Sequence, residues 1–224
     1  MFKLSFLVIF FSFSFPATVL PDGFVDLQKI VPDIVVDLRY FSKDNFVGQR
    51  IDGYESNKCI ISIKAAIALS AIQKALKSQG YGLKLFDAYR PQQAVNHFVR
   101  WAKHLDDTKM KSIYYPEVEK KVLFKEGYIS ARSGHTRGST VDLTIIYLSG
   151  NKKGQEVDMG THWDFFSPRS WPSSNEVDST QKSNRLFLQK IMADHGFRPY
   201  KEEWWHFTLR NEPFPETYFD FPIK

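Results

Sequence analysis

Apolar residues recur at helical spacing over residues 62–79, at Ile63, Ile67, Ile72 and Leu76, in an alanine-rich stretch that stops at Gly80. That pattern predicts an amphipathic helix. Leu83, Lys84, Leu85 and Phe86 then alternate as a strand does. Pro91 is a good first-turn residue and opens a second predicted helix, running to about His104. The β-branched run from Thr140 to Ile146 predicts a buried strand. A third helix is expected over 180–194, carrying Leu186, Phe187, Leu188, Ile191 and Met192 and ending near Gly196. Trp205 to Leu209 reads as a last strand, and Pro213, Pro215 and Pro222 leave the tail irregular, wrapping the surface. Helices and strands mix without a βαβ rhythm. The expected fold class is therefore α+β, with a central, mostly antiparallel sheet and flanking helices. No repeat or low-complexity linker interrupts residues 21–224, so one domain is expected there.

Residues 1–20 stand apart. Lys3 precedes an apolar stretch from Leu4 to Phe15, Pro16 ends it, and Ala17 and Thr18 follow. This is the order of a secretory signal, although no clean A-x-A cleavage site is present. The apolar stretch is short of the ~20 residues a membrane helix needs, so no stable span is expected once the signal is removed. The expected location is periplasmic or secreted, and cytoplasmic only if the segment is not a working signal. Its removal takes one positive charge, Lys3, from a chain whose net charge is +5.

Composition narrows the chemistry. The chain has 224 residues, 25% charged and 43% hydrophobic, which is globular rather than disordered. The basic runs are short, Lys120-Lys121 and Lys152-Lys153, and carry no interleaved aromatics, so no nucleic-acid partner is expected. A single cysteine, Cys59, excludes an internal disulfide and any multi-cysteine metal site. A bound metal must be held by His, Asp or Glu. No Gly-rich phosphate loop and no G-x-S-x-G is present, and Cys59 has no neighbouring His, which argues against a serine or cysteine hydrolase.

Two stretches carry candidate chemistry: Ser133-Gly134-His135-Thr136-Arg137-Gly138-Ser139-Thr140-Val141-Asp142 and Glu203-Trp204-Trp205-His206. A catalytic zinc takes three protein ligands and keeps one position for water. His135, Asp142 and His206 would supply those ligands, and Glu203 would accept the proton of the attacking water. Asp142 is a carboxylate inside a buried apolar run, where it needs a cation. An ideal strand would put Glu203 and His206 on opposite faces, so the chain must bend there or Glu203 must precede the strand. A non-haem iron triad also uses two His and one carboxylate, but its usual signature sets the first His two residues from the carboxylate, not seven. His97, His104 and His195 are expected to be structural.

The string SxHxxGxxxD with a distant ExxH resembles the zinc D,D-peptidase superfamily, whose fold is hedgehog-like. The likeness is closer to its VanX-type D-alanyl-D-alanine dipeptidases, which carry SHSRGSAIDLT, DGYRP, EWWH and RDEPYPNSYFDFPVK. The strings here are GHTRGSTVDLT, DAYRP, EWWH and RNEPFPETYFDFPIK, with Tyr40 and Asn45-Phe46-Val47-Gly48 matching near the N-terminus. The resemblance implies one Zn²⁺ on His135, Asp142 and His206, with Glu203 as general base. Arg90 would stabilise the tetrahedral intermediate, against a simpler reading of it as an ion pair with Asp87. Tyr40, Ser133 and Asp164 would contact substrate, with Asp164 binding the free ammonium of a D-Ala-D-Ala dipeptide. Gly134, Ala88, His162 and Trp163 depart from the family pattern, and His162 is expected outside the metal's ligand set. Two alternatives stay open: a zinc D,D-carboxypeptidase or endopeptidase on peptidoglycan stems, and a non-catalytic cell-wall binding module.

Overall fold

A computed structural model describes residues 20–224; the export segment read at residues 1–20 lies, but for Leu20, outside the described residues. A five-stranded sheet has the order β2 (Val35–Val36), β4 (Tyr81–Asp87), β5 (Thr140–Tyr147), β7 (His206–Leu209), β6 (Phe197–Pro199). Only β2 and β4 pair in parallel; the other three pairings are antiparallel. A short ribbon of β1 (Phe24–Asp26) and β3 (Ile60–Ser62) lies beside it. The three predicted helices form as α2 (Ile63–Lys77), α3 (Gln92–Lys103) and α5 (Ser179–Asp194), with single-turn helices α1 (Leu27–Ile30) and α4 (Lys111–Tyr114) in the loops. The α+β class and the antiparallel sheet are as expected.

The buried faces of the helices differ from the expected ones. In α2 the core side is Ala65, Ala66, Leu69, Ile72, Gln73 and Leu76, whereas Ile63 and Ile67 are exposed at 44% and 61%. Ile63 and Ile67 project from the opposite, solvent-facing side. Gln73 is buried and accepts a hydrogen bond from the Leu83 amide at 2.8 Å, tying α2 to β4. In α5, Leu186 points outward, and the inward face includes Arg185, Leu188, Ile191 and Met192.

The central strand β5 is buried along nearly its whole length. Its two faces differ: Val141, Leu143 and Ile145 alternate with the buried polar residues Thr140, Asp142 and Thr144. Its N-terminal end carries Asp142 between two neighbours in register: Asp87 on β4 and His206 on β7. Three polar residues thus stand in one row across three strands, at the end of the sheet where the loops converge.

Candidate active site

Each part of the row has a local cause. The β4–β5 register shifts between Leu85 and Asp87, and the resulting bulge carries Asp87 inward. His135 sits on a 3-10 turn, Gly134–Arg137, whose first amides are capped by the Ser133 hydroxyl accepting from His135 N at 3.3 Å. Gly138 ends that turn with φ +78, a left-handed conformation that glycine adopts without strain. Glu203 precedes β7 and is joined to His206 by a turn, His206 N donating to Glu203 O. The facing problem posed by ExxH is solved in that way. The buried Trp204 and Trp205 fix the turn, and Trp204 Nε1 donates to Thr161 Oγ1 at 2.9 Å.

His135 Nε2, Asp142 Oδ1 and His206 Nδ1 form a triangle with edges of 3.1, 3.2 and 3.3 Å. Ligands about 2.0–2.1 Å from a tetrahedral metal lie ~3.3 Å from one another, so the triangle has the size of one tetrahedral face. Two further features ask for a cation. His135 Nδ1 contacts the Ala88 carbonyl at 2.7 Å, which must accept, so Nε2 presents a lone pair to the triangle when the ring is neutral. Asp142 Oδ1 is buried and makes no hydrogen bond. The residues present therefore fit a zinc ion, and His135, Asp142 and His206 would hold it.

Left to the protein groups alone, burial opposes charge on both Asp142 and His206, but their mutual attraction prevails. Asp142 is held below the ordinary carboxylate range by His135 and His206. His206 is pushed up to about 9 by Asp142 and Glu203. Glu203 Oε2 lies 3.3 Å from His206 Nδ1.

Arg90 forms the expected ion pair with Asp87 and also reaches toward Asp142. Its Nε donates to Asp87 Oδ2 at 2.8 Å, and its Nη2 lies 3.5 Å from Asp142 Oδ2. Its guanidinium lies over the rings of Tyr40 and Phe98. Asp87 also accepts from Tyr54 Oη at 2.6 Å, and burial raises its pKa. Tyr40 donates to Asp164 Oδ2 at 2.6 Å. Burial, reinforced by Asp142, pushes the Asp164 carboxyl well above its usual value. Asp164 has φ +57, the one left-handed non-glycine among the described residues. Such a conformation costs of order 1–3 kcal/mol and is often retained at functional sites.

All eight expected site residues line one cleft of about 310 Å³. His162 is outside the triangle, with both ring nitrogens against the carbonyls of Trp163 and Ile113. His97 and His104 line a separate surface cleft. Cys59 is buried, and burial pushes its thiol pKa well above the usual range, away from nucleophilic use. Sequence reasoning missed Tyr54, whose hydroxyl holds Asp87, 33 residues away in the chain. It also missed Trp163 as a donor to Asp142 Oδ2, at 3.3 Å. Arg132, next to Ser133, lines the cleft and forms no ion pair among the described residues. Its place beside Ser133 was the only signal that could have marked it.

The D-ala-D-ala dipeptidase family of M15 peptidases matches residues 21–224. A D-alanyl-D-alanine dipeptidase of Enterococcus faecium is 40% identical over 202 residues, covering 90% of this chain and 98% of that protein. One from Streptomyces coelicolor is 41% identical over 200 residues, covering 89% and 98%. One from Escherichia coli is 31% identical over 185 residues, covering 83% of each. Among solved structures, the LdcB LD-carboxypeptidase aligns over 88% of this chain and 72% of its own, at 17% identity and a TM-score of 0.47. The chain belongs to the D-Ala-D-Ala dipeptidase family of M15 peptidases.

Proposed function

We propose that this protein hydrolyses the free dipeptide D-alanyl-D-alanine to two D-alanines, using one zinc ion held by His135, Asp142 and His206. The observation that carries the reading is that Glu203 and Arg90 both border the ligand triangle, Glu203 against His206 and Arg90 against Asp142. Zinc, when bound, acidifies a water and polarises the scissile carbonyl. Glu203 takes a proton from the attacking water and returns it to the departing amine. Arg90 directs its guanidinium at the oxygen on which negative charge develops. Because Asp87 and the rings of Tyr40 and Phe98 already hold Arg90, little reorganisation is needed at the moment of attack.

The rest of the cleft matches a small zwitterion. Asp164, held by Tyr40, meets the substrate ammonium, whose charge restores the ionised carboxylate that burial disfavours. A peptide blocked at its N-terminus offers Asp164 no such charge. Ser133 and Arg132 lie elsewhere on the cleft wall and suit the substrate carboxylate. We further propose that residues 1–20 direct export, so that the enzyme works in the periplasm or outside the cell on D-Ala-D-Ala from the wall. Mass analysis of the mature protein checks this; an unprocessed, cytosolic chain would reverse it.

The reading is tested by D-alanine release from D-Ala-D-Ala and from an N-acylated D-Ala-D-Ala peptide, each with and without a chelator. Chelator-sensitive cleavage of the free dipeptide alone is expected. Comparable cleavage of the blocked peptide would make the enzyme a carboxypeptidase instead. Zinc binding without any turnover would make it a binding module.

A further inference from the structure

The segment after β7 matches the family closely, yet none of residues 210–224 lines the cleft. Its contacts explain what it does. Helix α3 begins at Gln92 behind Pro91, which has no side-chain cap to offer its first amides. The tail supplies the caps instead: Gln92 N donates to Phe219 O at 3.1 Å, and Gln93 N to Asp220 Oδ1 at 2.7 Å. A carboxylate there also complements the helix dipole. The other face of the same tail residue holds the metal loop, because Phe219 N donates to Thr136 O at 3.0 Å.

Further tail contacts reach Tyr89, beside Arg90, and the loop that carries Tyr54. Phe221 stacks on Tyr89 at 4.1 Å between ring centres, and Tyr89 Oη donates to Phe221 O at 3.0 Å. Ile223 N donates to Gly53 O at 2.8 Å, while its carbonyl accepts from Glu55 and Ser56. Those bonds bracket Tyr54, whose hydroxyl holds Asp87, which in turn holds Arg90 Nε. The backbone on both sides of Arg90, and the chain of hydrogen bonds behind its guanidinium, are thus anchored on one strap.

From these contacts we infer that Phe219, Asp220 and Phe221 are positioning residues for Arg90: the C-terminal strap caps α3 from outside and fixes the guanidinium against the oxyanion position. The inference rests on the role of Arg90 in the proposed reaction. Small displacements of such a group cost up to ~100-fold in rate.

The test is a pair of double-mutant cycles, Phe221→Ala and Asp220→Ala, each alone and with Arg90→Ala, assayed on D-Ala-D-Ala. Asp220 is exposed, so its truncation leaves the fold intact even where Phe221→Ala does not. Each strap variant alone is expected to lower kcat about 10-fold with KM and zinc content nearly unchanged, and to change kcat less than about 2-fold when Arg90 is already alanine. Equal losses in both backgrounds, or no loss in either, would overturn the inference. Hydrogen exchange reads the same point without turnover: the amides of Tyr89, Arg90, Gln92 and Gln93 must lose protection in Asp220→Ala while β5 keeps its own, and uniform behaviour of the two would also overturn it. An inactive parent protein with the exchange pattern intact would count against the proposed reaction, not against the strap.

Discussion

Asp142 on β5 stands in register with His206 on β7, and Asp142 Oδ1 lies 3.1 Å from His206 Nδ1. With His135 Nε2 they close a triangle whose size suits one cation. Replacing Asp142 by the isosteric Asn removes a charge and a metal-binding oxygen without a change of volume. Asp142→Asn is expected to fold but to lose its zinc on dialysis, read by elemental analysis. A variant that keeps one zinc per chain would show that the two histidines suffice. Chelation of the parent protein is expected to lower its Tm, since the ion binds only the folded state.

Glu203 touches His206 but is not one of the three converging ligands. Glu203→Gln is therefore expected to keep its zinc while kcat falls by about 100-fold or more. Retention of metal with near-parental turnover would mean that another base operates.

Gly134 departs from the family serine for a steric reason. A Cβ built there would lie 2.8 Å from Thr140 Oγ1, which is itself held by Thr208 Oγ1 at 2.9 Å. Gly134→Ala should displace the turn that carries His135 and weaken zinc binding. Adding Thr140→Ala removes the obstruction and should restore it. Competition with a chromogenic chelator measures both variants, and no rescue by the second change would refute the coupling.

Arg132 lines the cleft and forms no ion pair among the described residues, its guanidinium lying over the Tyr218 ring. Arg132→Ala is expected to raise KM for D-Ala-D-Ala about 10-fold, and to leave KM for the uncharged D-Ala-D-alaninamide nearly unchanged. Equal effects on the acid and the amide would assign Arg132 to the surface rather than to the substrate carboxylate.

His97 gives a pH dependence outside the site. Burial lowers its pKa, against the pull of Asp52, and the Asp52 amide donates to its Nδ1 at 3.2 Å. The ring is therefore needed neutral. A depressed pKa means that this stability is present above the unfolded value near 6.5 and is lost as pH falls through the folded one. The Tm of the parent protein should drop between about pH 6.5 and 5 more than that of His97→Gln, followed by calorimetry. Parallel pH profiles would remove His97 from the account.

Most elements, and the candidate ligands His135, Asp142 and His206, are legible in the chain's local pattern. The run from Thr140 to Ile146 is long, β-branched and interrupted by one carboxylate, so strand and buried charge were both legible at Asp142. The order Glu203-Trp204-Trp205-His206 called for either a bend in the chain or a Glu203 that precedes its strand, and the second is what forms. Helix faces were less legible. In α2 the core side is Ala65, Ala66, Leu69, Ile72 and Leu76, while Ile63 and Ile67, at the same apparent spacing, face solvent. How residues far apart in the chain support one another emerges only on folding. Tyr54 on Asp87, Asp87 on Arg90 and Phe219 between Thr136 and Gln92 are contacts that no local spacing encodes. They arise where loops at one end of the sheet are brought together, and their energies depend on burial and on hydrogen-bond partners that exist only after folding.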